Sequence, residues 1–205
     1  MNTSCQTLMT EFPAEPIAEP TSRRLAGDLA IWFFILAELL AFGVFFVAYA
    51  FARANHVELF NAEQLALDRN SGAINTVLLL TSSFFVVRAV QTAEAGRSRA
   101  AAPWLAGAFA CGAGFVVVKL FEYAAKLGAG VSLTSSTFHM FYLSLTFFHF
   151  MHVILGLVIL AALWCNARAG RYGPGRMNGI ETGAAYWHMV DLVWLILFPL
   201  VYVMR

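Results

Sequence analysis

The stretch Glu181–Val203, ETGAAYWHMVDLVWLILFPLVYV, decides the fold of this chain. It is long and apolar enough to cross a bilayer, which requires about 20 residues. It nevertheless carries Glu181, His188 and Asp191, whose side chains fall on one side of a helix at ~100° per residue. Charged groups are strongly disfavoured against lipid, so this polar stripe must face protein or trapped water. The stretch therefore predicts a bundle of several membrane helices.

Four further segments are apolar enough to supply that bundle. We expect them to be helical, because an unpaired backbone is too unfavourable in lipid and no segment alternates like a barrel strand. The prediction is an all-α, polytopic membrane protein with one transmembrane domain at residues 23–205, preceded by a polar, disordered cytoplasmic tail at residues 1–22. The five spans are predicted at about residues 29–51, 72–92, 103–125, 137–165 and 181–204.

The composition supports this class and excludes others. Hydrophobic residues make up 60% of the chain and charged residues only 12%, which is typical of a membrane protein. The net charge of +1 argues against a nucleic-acid partner. Cys5, Cys111 and Cys165 are too far apart for a CxxC or haem-attachment motif. We expect Cys111 and Cys165 to be small residues of the core.

The arginines predict the orientation of the spans in the membrane. Cytoplasmic loops carry an excess of Lys and Arg, so the more basic set of flanks should be cytoplasmic. The N-terminus is then cytoplasmic and the C-terminus periplasmic, with an exterior loop at residues 53–69. The cytoplasmic set is Arg23, Arg24, Arg97, Arg99, Arg168, Arg171 and Arg176, and the opposite set is Arg53, Arg69, Lys126 and Arg205.

Ionisable residues within the spans fall into two layers at ~1.5 Å rise per residue. We predict that the first layer is a buried cluster in which two carboxylates accept hydrogen bonds from three histidines: Glu38, His149, His152, His188 and Asp191. The second layer lies nearer the outside. There Lys119 and Glu122, one turn apart, are expected to form an internal ion pair, with His139 at a similar level.

Several functions are compatible with these buried groups. Interhelical hydrogen bonds commonly lock a bundle and set its register. Carboxylates and histidines at one depth can also exchange protons locally. A metal held by His149, His152 and His188 is a weaker hypothesis, because no soft ligand or complete ligand set accompanies them, and no cofactor or metal is predicted. A self-standing proton-coupled channel or transporter stays open as the alternative, although broken helices and internal repeats are not evident.

Each span also carries a short motif. In chain order these are Ile35–Glu38 followed by Phe45 and Phe46, then Asn75–Ser83, Lys119–Tyr123, Thr146–Val153 and Tyr186–Trp194. Together they resemble subunit III of the haem-copper oxidases, and the last, YWHMVDLVW, is similar to that family's final-helix signature. The resemblance covers all five spans, although longer family members have two more helices at the start.

The resemblance implies a fold like the last five helices of oxidase subunit III. It also implies an accessory role, since that subunit binds no redox centre, docks on the catalytic subunit and supports proton uptake and the durability of the active site. Glu38 would correspond to the family's carbodiimide-reactive glutamate. The five-span length and Lys119, where the family usually has Gln, look most like the branch that accompanies bacterial nitric oxide reductase, with cytochrome c and quinol oxidases as the nearest alternatives. The implied partners are a haem-bearing catalytic subunit and membrane lipids.

Overall fold

The computed structural model describes residues 27–204, so the tail predicted at residues 1–22 lies outside the described residues. The helices are α1 (Leu29–Asn55), α2 (Val57–Leu65), α3 (Arg69–Glu94), α4 (Ser98–Gly128), α5 (Thr137–Arg168) and α6 (Asn178–Phe198), and α6 continues into a π-helical turn, Pro199–Val203. Five of them, all except α2, are long and apolar enough to cross a membrane. This confirms the prediction of an all-α bundle with five transmembrane helices.

Short polar side chains begin three of these helices. Asp28, Asp68 and Ser136 precede α1, α3 and α5, and each accepts a hydrogen bond from a backbone N–H of the first turn. Such caps satisfy donors that have no partner inside the helix. At Asp68 the Ser71 hydroxyl and the Asn70 N–H stabilise the charged carboxylate, which lowers its pKa.

The last helix is the centre of the bundle. In its most apolar window 56% of the residues are buried, against 11% for α1, and it packs against α1, α3 and α5. The Trp187 ring of α6 lies against Gly112 of α4 and Gly156 of α5, where an added Cβ would come within 2.7 Å of the indole. One aromatic ring therefore fills the space that glycine leaves at both positions, and the three helices approach closely there.

The segment at residues 53–69, expected as an exterior loop, contains the short helix α2. Phe60 of α2 is fully buried and packs edge-on against Tyr49 and Phe138, so the segment folds back onto the bundle. Gln64 of α2 lies beside the π-helical turn and donates to the Val201 carbonyl oxygen at 3.0 Å. The loop prediction missed α2 because its nine residues have too little amphipathic pattern to be read from sequence.

One expectation for the cysteines is wrong. Cys165 is exposed and Cys111 is only partly buried. Both cysteines lie on outer faces of the bundle. A small apolar side chain is tolerated there without protein neighbours, because lipid surrounds these faces in a membrane.

Candidate functional site

The first polar contact joins α1 to α5. Glu38 Oε2 lies 3.0 Å from His152 Nε2, and the two side chains are 20% and 11% exposed. His152 Nδ1 is 2.7 Å from the Phe148 carbonyl oxygen of its own helix. A carbonyl only accepts, so Nδ1 carries a hydrogen. The contact between Nε2 and Oε2 must then hold a second proton, either on the imidazolium or on the carboxyl group.

His149 lies one turn before His152 but faces α6. Its side chain is fully buried, and Nε2 donates to the Val190 carbonyl oxygen at 3.0 Å. Nδ1 has no hydrogen-bond partner among the described residues. The rings of Phe115, Trp194 and Phe42 surround the imidazole, with centroids 5.6, 5.2 and 6.5 Å away. The geometry therefore assigns the Nε2–H tautomer to a histidine enclosed by aromatic rings.

A third contact joins α3 to α6. Ser83 Oγ lies 3.1 Å from His188 Nδ1. Asp191, 6% exposed, is within interaction range of both Ser83 and His188, but its Oδ1 atom has no hydrogen-bond partner among the described residues.

The five residues predicted as one cluster share a level of the bundle but do not form one hydrogen-bonded cluster. We call them the histidine layer: Glu38, His149, His152, His188 and Asp191. Glu38 bonds to His152 on one side of α6, and His188 bonds to Ser83 on the other. The prediction of two carboxylates accepting from three histidines is wrong for Asp191, because no hydrogen bond joins that carboxylate to a histidine among the described residues. His149 bonds to neither carboxylate; it donates to the α6 backbone, at the Val190 carbonyl oxygen.

The second layer is built around a buried ion pair. Lys119 Nζ lies 3.0 Å from Glu122 Oε2, with side chains 0% and 6% exposed. Tyr202 accepts from Lys119 at 2.6 Å and donates to Glu122 Oε1, and Tyr142 donates to the same oxygen. Both carboxylate oxygens are therefore satisfied, which a buried charge requires.

Aromatic rings complete the surroundings of the ammonium group. Lys119 Nζ lies 5.2–5.5 Å from the ring centroids of Tyr123, Tyr142, Trp194 and Tyr202, within the range of cation–π attraction. We call Lys119, Glu122, Tyr142 and Tyr202 the tyrosine cage. His139, expected at this level, lies beyond it and pairs with Glu63 of α2.

Sequence reasoning did not assign Tyr142 or Tyr202 to this site. Tyr202 lies in the π-helical turn that begins at Pro199, a residue without an N–H, and such a turn shifts the register of its residues relative to the preceding α-helix. Tyr142 could have been found from the sequence. A buried lysine and glutamate have more donors and acceptors than they can satisfy with each other, so a hydroxyl group on a neighbouring span is an expected partner.

The metal hypothesis finds no support in the geometry. Within residues 27–204, no three side chains of His, Cys, Asp or Glu gather so that they could hold an ion. His149 and His188, two of the three proposed ligands, bond to a backbone carbonyl and to a serine.

Comparison with known proteins agrees with this arrangement of helices. The family model described as "Cytochrome c oxidase subunit III" matches residues 26–205. The chain is 32% identical to "Cytochrome c oxidase subunit 3" of Thermostichus vulcanus, over 86% of each chain. It is 28% identical to "Quinol oxidase subunit 3" of Bacillus subtilis (strain 168), again over 86% of each. It is 32% identical to "Heme-copper oxidase subunit I+III" of Aeropyrum pernix, over 84% of this chain and 22% of that protein. The chain belongs to the cytochrome c oxidase subunit III family.

Proposed function

We propose that this chain is an accessory membrane subunit without catalysis of its own, which packs beside the haem-bearing catalytic subunit of a respiratory complex. The observation that carries the proposal is the family match across residues 26–205, which covers all five spans. The name of the Aeropyrum pernix relative joins subunits I and III in one protein. Such a fusion favours subunit I as the neighbour of this chain as well.

The complex in question is best sought among cytochrome c and quinol oxidases, since the relatives carry those names. Nitric oxide reductase is the second candidate. The five-span length does not favour it, because the Thermostichus vulcanus protein is matched over 86% of its own length and is thus similarly short. Lys119 in the tyrosine cage is the remaining feature in its favour.

The orientation belongs to the same proposal. The arginines at the start of α4 and the end of α5 support a cytoplasmic position for that end of the bundle, by the positive-inside rule. The N-terminus is then cytoplasmic, and the tyrosine cage lies in the periplasmic half of the bacterial inner membrane.

Within the complex, the histidine layer is the part of the chain suited to exchange protons. The contact between Glu38 and His152 holds a proton that either residue can carry, and both side chains are partly exposed. Ionisable side chains within membrane-spanning segments are functional candidates, because such residues are rare in lipid and commonly mark proton relays. The tyrosine cage is suited to a structural role, since its charges are paired.

Purification of the complex tests the proposal. The full-length chain carries a C-terminal tag in its native host, and membranes are solubilised in a mild detergent. We expect a haem-bearing catalytic subunit to copurify, with a haem absorption spectrum in the eluate. An eluate without haem, from membranes whose haem-copper enzymes are active and intact, contradicts the proposal.

Deletion of the gene identifies the complex. Loss or faster decay of oxygen consumption during turnover, restored by the wild-type gene, assigns the chain to an oxidase. An unchanged oxygen rate with impaired nitric oxide consumption assigns it to the reductase. If neither rate changes, and vesicles with the pure chain conduct protons in a manner abolished by Glu38→Gln, the chain is a self-standing transporter and the proposal is wrong.

A further inference from the structure

We propose that the groove between α4 and α5, at the arginine-rich end of the bundle, binds an anionic phospholipid. The groove has a volume of about 260 Å³ and is lined by Ala106 and Phe109 of α4 and by Ala161 and Trp164 of α5. Its walls are apolar and it runs between two membrane helices, so it fits the upper part of an acyl chain. This inference does not depend on the identity of the complex.

Two guanidinium groups flank one end of this groove. Arg168 lies over the Trp164 ring, with its central carbon 4.9 Å from the ring centroid. This direction follows from helix geometry, because side chains lean towards the N-terminus of their helix and Arg168 lies one turn after Trp164. The charge is therefore held at the mouth of the groove, beside the ring that lines it.

Arg99 supplies the second charge from α4. It precedes Ala106 by seven residues, which is about two turns, so it lies on the same side of the helix as the groove. The residues next to the two arginines are in direct contact: Ser98 Oγ donates to the Ala167 carbonyl oxygen at 3.1 Å. This bond fixes the start of α4 against the end of α5. Arg99 and Arg168, both exposed, are thereby placed on neighbouring helices at one level.

Charge is segregated between this groove and a larger one on the other side of the bundle. That second groove, about 590 Å³ between α1, α3 and α6, has Glu94 and Glu181 at its polar end. Within residues 27–204, no carboxylate forms an ion pair with Arg99 or Arg168. Basic pockets between membrane helices on the cytoplasmic side are typical sites for anionic headgroups. Charge complementarity thus selects a phosphate headgroup for the α4–α5 groove.

Native mass spectrometry of the full-length chain in detergent tests the site. The probes are phosphatidylglycerol and phosphatidylcholine with identical acyl chains, added in competition. We expect wild type to retain phosphatidylglycerol preferentially. Each arginine near an anionic headgroup contributes about 1 kcal/mol, so Arg99→Gln and Arg168→Gln should each lower the preference about fivefold.

Arg88→Gln is the matched control, because Arg88 also lies over a tryptophan, at 5.3 Å from the Trp104 ring, but not at this groove. We expect it to leave the preference unchanged. Equal binding of the two lipids by wild type, or an equal loss of preference in all three variants, overturns the proposal. If a variant fails to fold, Ala106→Phe provides a second measurement: filling the groove should lower retention of phosphatidylglycerol with both arginines in place.

A photoreactive amino acid at Ala161 distinguishes a lipid from a protein occupant in native membranes. A lipid adduct that falls when Arg168 is replaced supports the site. A stoichiometric adduct with another protein means that a partner helix covers the groove, and this also overturns the proposal.

Discussion

The tyrosine cage and the histidine layer both bury ionisable groups within the same bundle, but they satisfy them differently. In the cage, Lys119 and Glu122 are almost inaccessible, and each carboxylate oxygen accepts at least one hydrogen bond. In the histidine layer, Glu38 and His152 are partly exposed, while His149 Nδ1 and Asp191 Oδ1 have no partner among the described residues.

This difference indicates that the tyrosine cage stabilises the fold and that the histidine layer is the site suited to proton exchange. A fully paired network can neither gain nor lose a proton without leaving a buried group unsatisfied, so it holds its helices in one arrangement. The pair of Glu38 and His152 shares one proton that either residue can carry, and both side chains are partly exposed. We therefore expect substitutions in the cage to act on folding and those in the histidine layer to have smaller effects on stability.

Replacing Lys119 should give the largest effect. Lys119→Met leaves the Glu122 carboxylate buried without its cation, and breaking a buried pair in this way costs about 3–5 kcal/mol. Unfolding of the full-length chain in detergent with increasing denaturant measures the change. A loss below about 1 kcal/mol would mean that the cage does not hold the bundle together.

The double variant Lys119→Met with Glu122→Gln is the control for charge. The amide oxygen at position 122 can still accept from Tyr142 and Tyr202, and no unpaired ion remains. We expect it to recover most of the stability lost in Lys119→Met. A double variant as unstable as the single one would attribute the loss to packing rather than to the stranded carboxylate.

Glu38→Ala should have an intermediate effect. It removes the acceptor facing His152 Nε2, and an unsatisfied buried polar group costs about 1–3 kcal/mol, less where water or lipid headgroups reach it. Glu38→Gln keeps an oxygen in place and should lose less. An unchanged melting temperature in Glu38→Ala would mean that the contact between Glu38 and His152 does not stabilise the fold.

The sequence predicted more of the fold than of the candidate site. Apolar length alone located all five spans, because the bilayer leaves helices as the only choice for such segments. Depth along each span also put Lys119 beside Glu122, since residues three apart share a helix face. Such arguments use distances along one helix or the thickness of the membrane, both of which are fixed.

The partners across helices could not be predicted in the same way. The depth of a residue in the membrane does not fix how its helix is rotated about its own axis. This rotation determines that His188 faces Ser83 of α3 and that His149 faces the α6 backbone. The position of Tyr202 depends in addition on the π-helical turn that begins at Pro199, a local shift that periodicity does not reveal.

Ser83→Ala should have the smallest effect and tests the rotation of α3 directly. The hydroxyl bonds to His188 Nδ1 across the helix interface, and such a hydrogen bond contributes about 0.5–1.5 kcal/mol. Thr81→Ala on the same helix is the matched control, because the Thr81 hydroxyl bonds back to the Val77 carbonyl oxygen at 2.7 Å and, among residues 27–204, bonds to no other helix. Hydrogen bonds of that second kind do not stabilise a helix, so its loss should leave the unfolding free energy nearly unchanged. Equal losses in the two variants, measured by the same denaturant titration, would mean that the contact between Ser83 and His188 contributes nothing to the packing of α3 on α6.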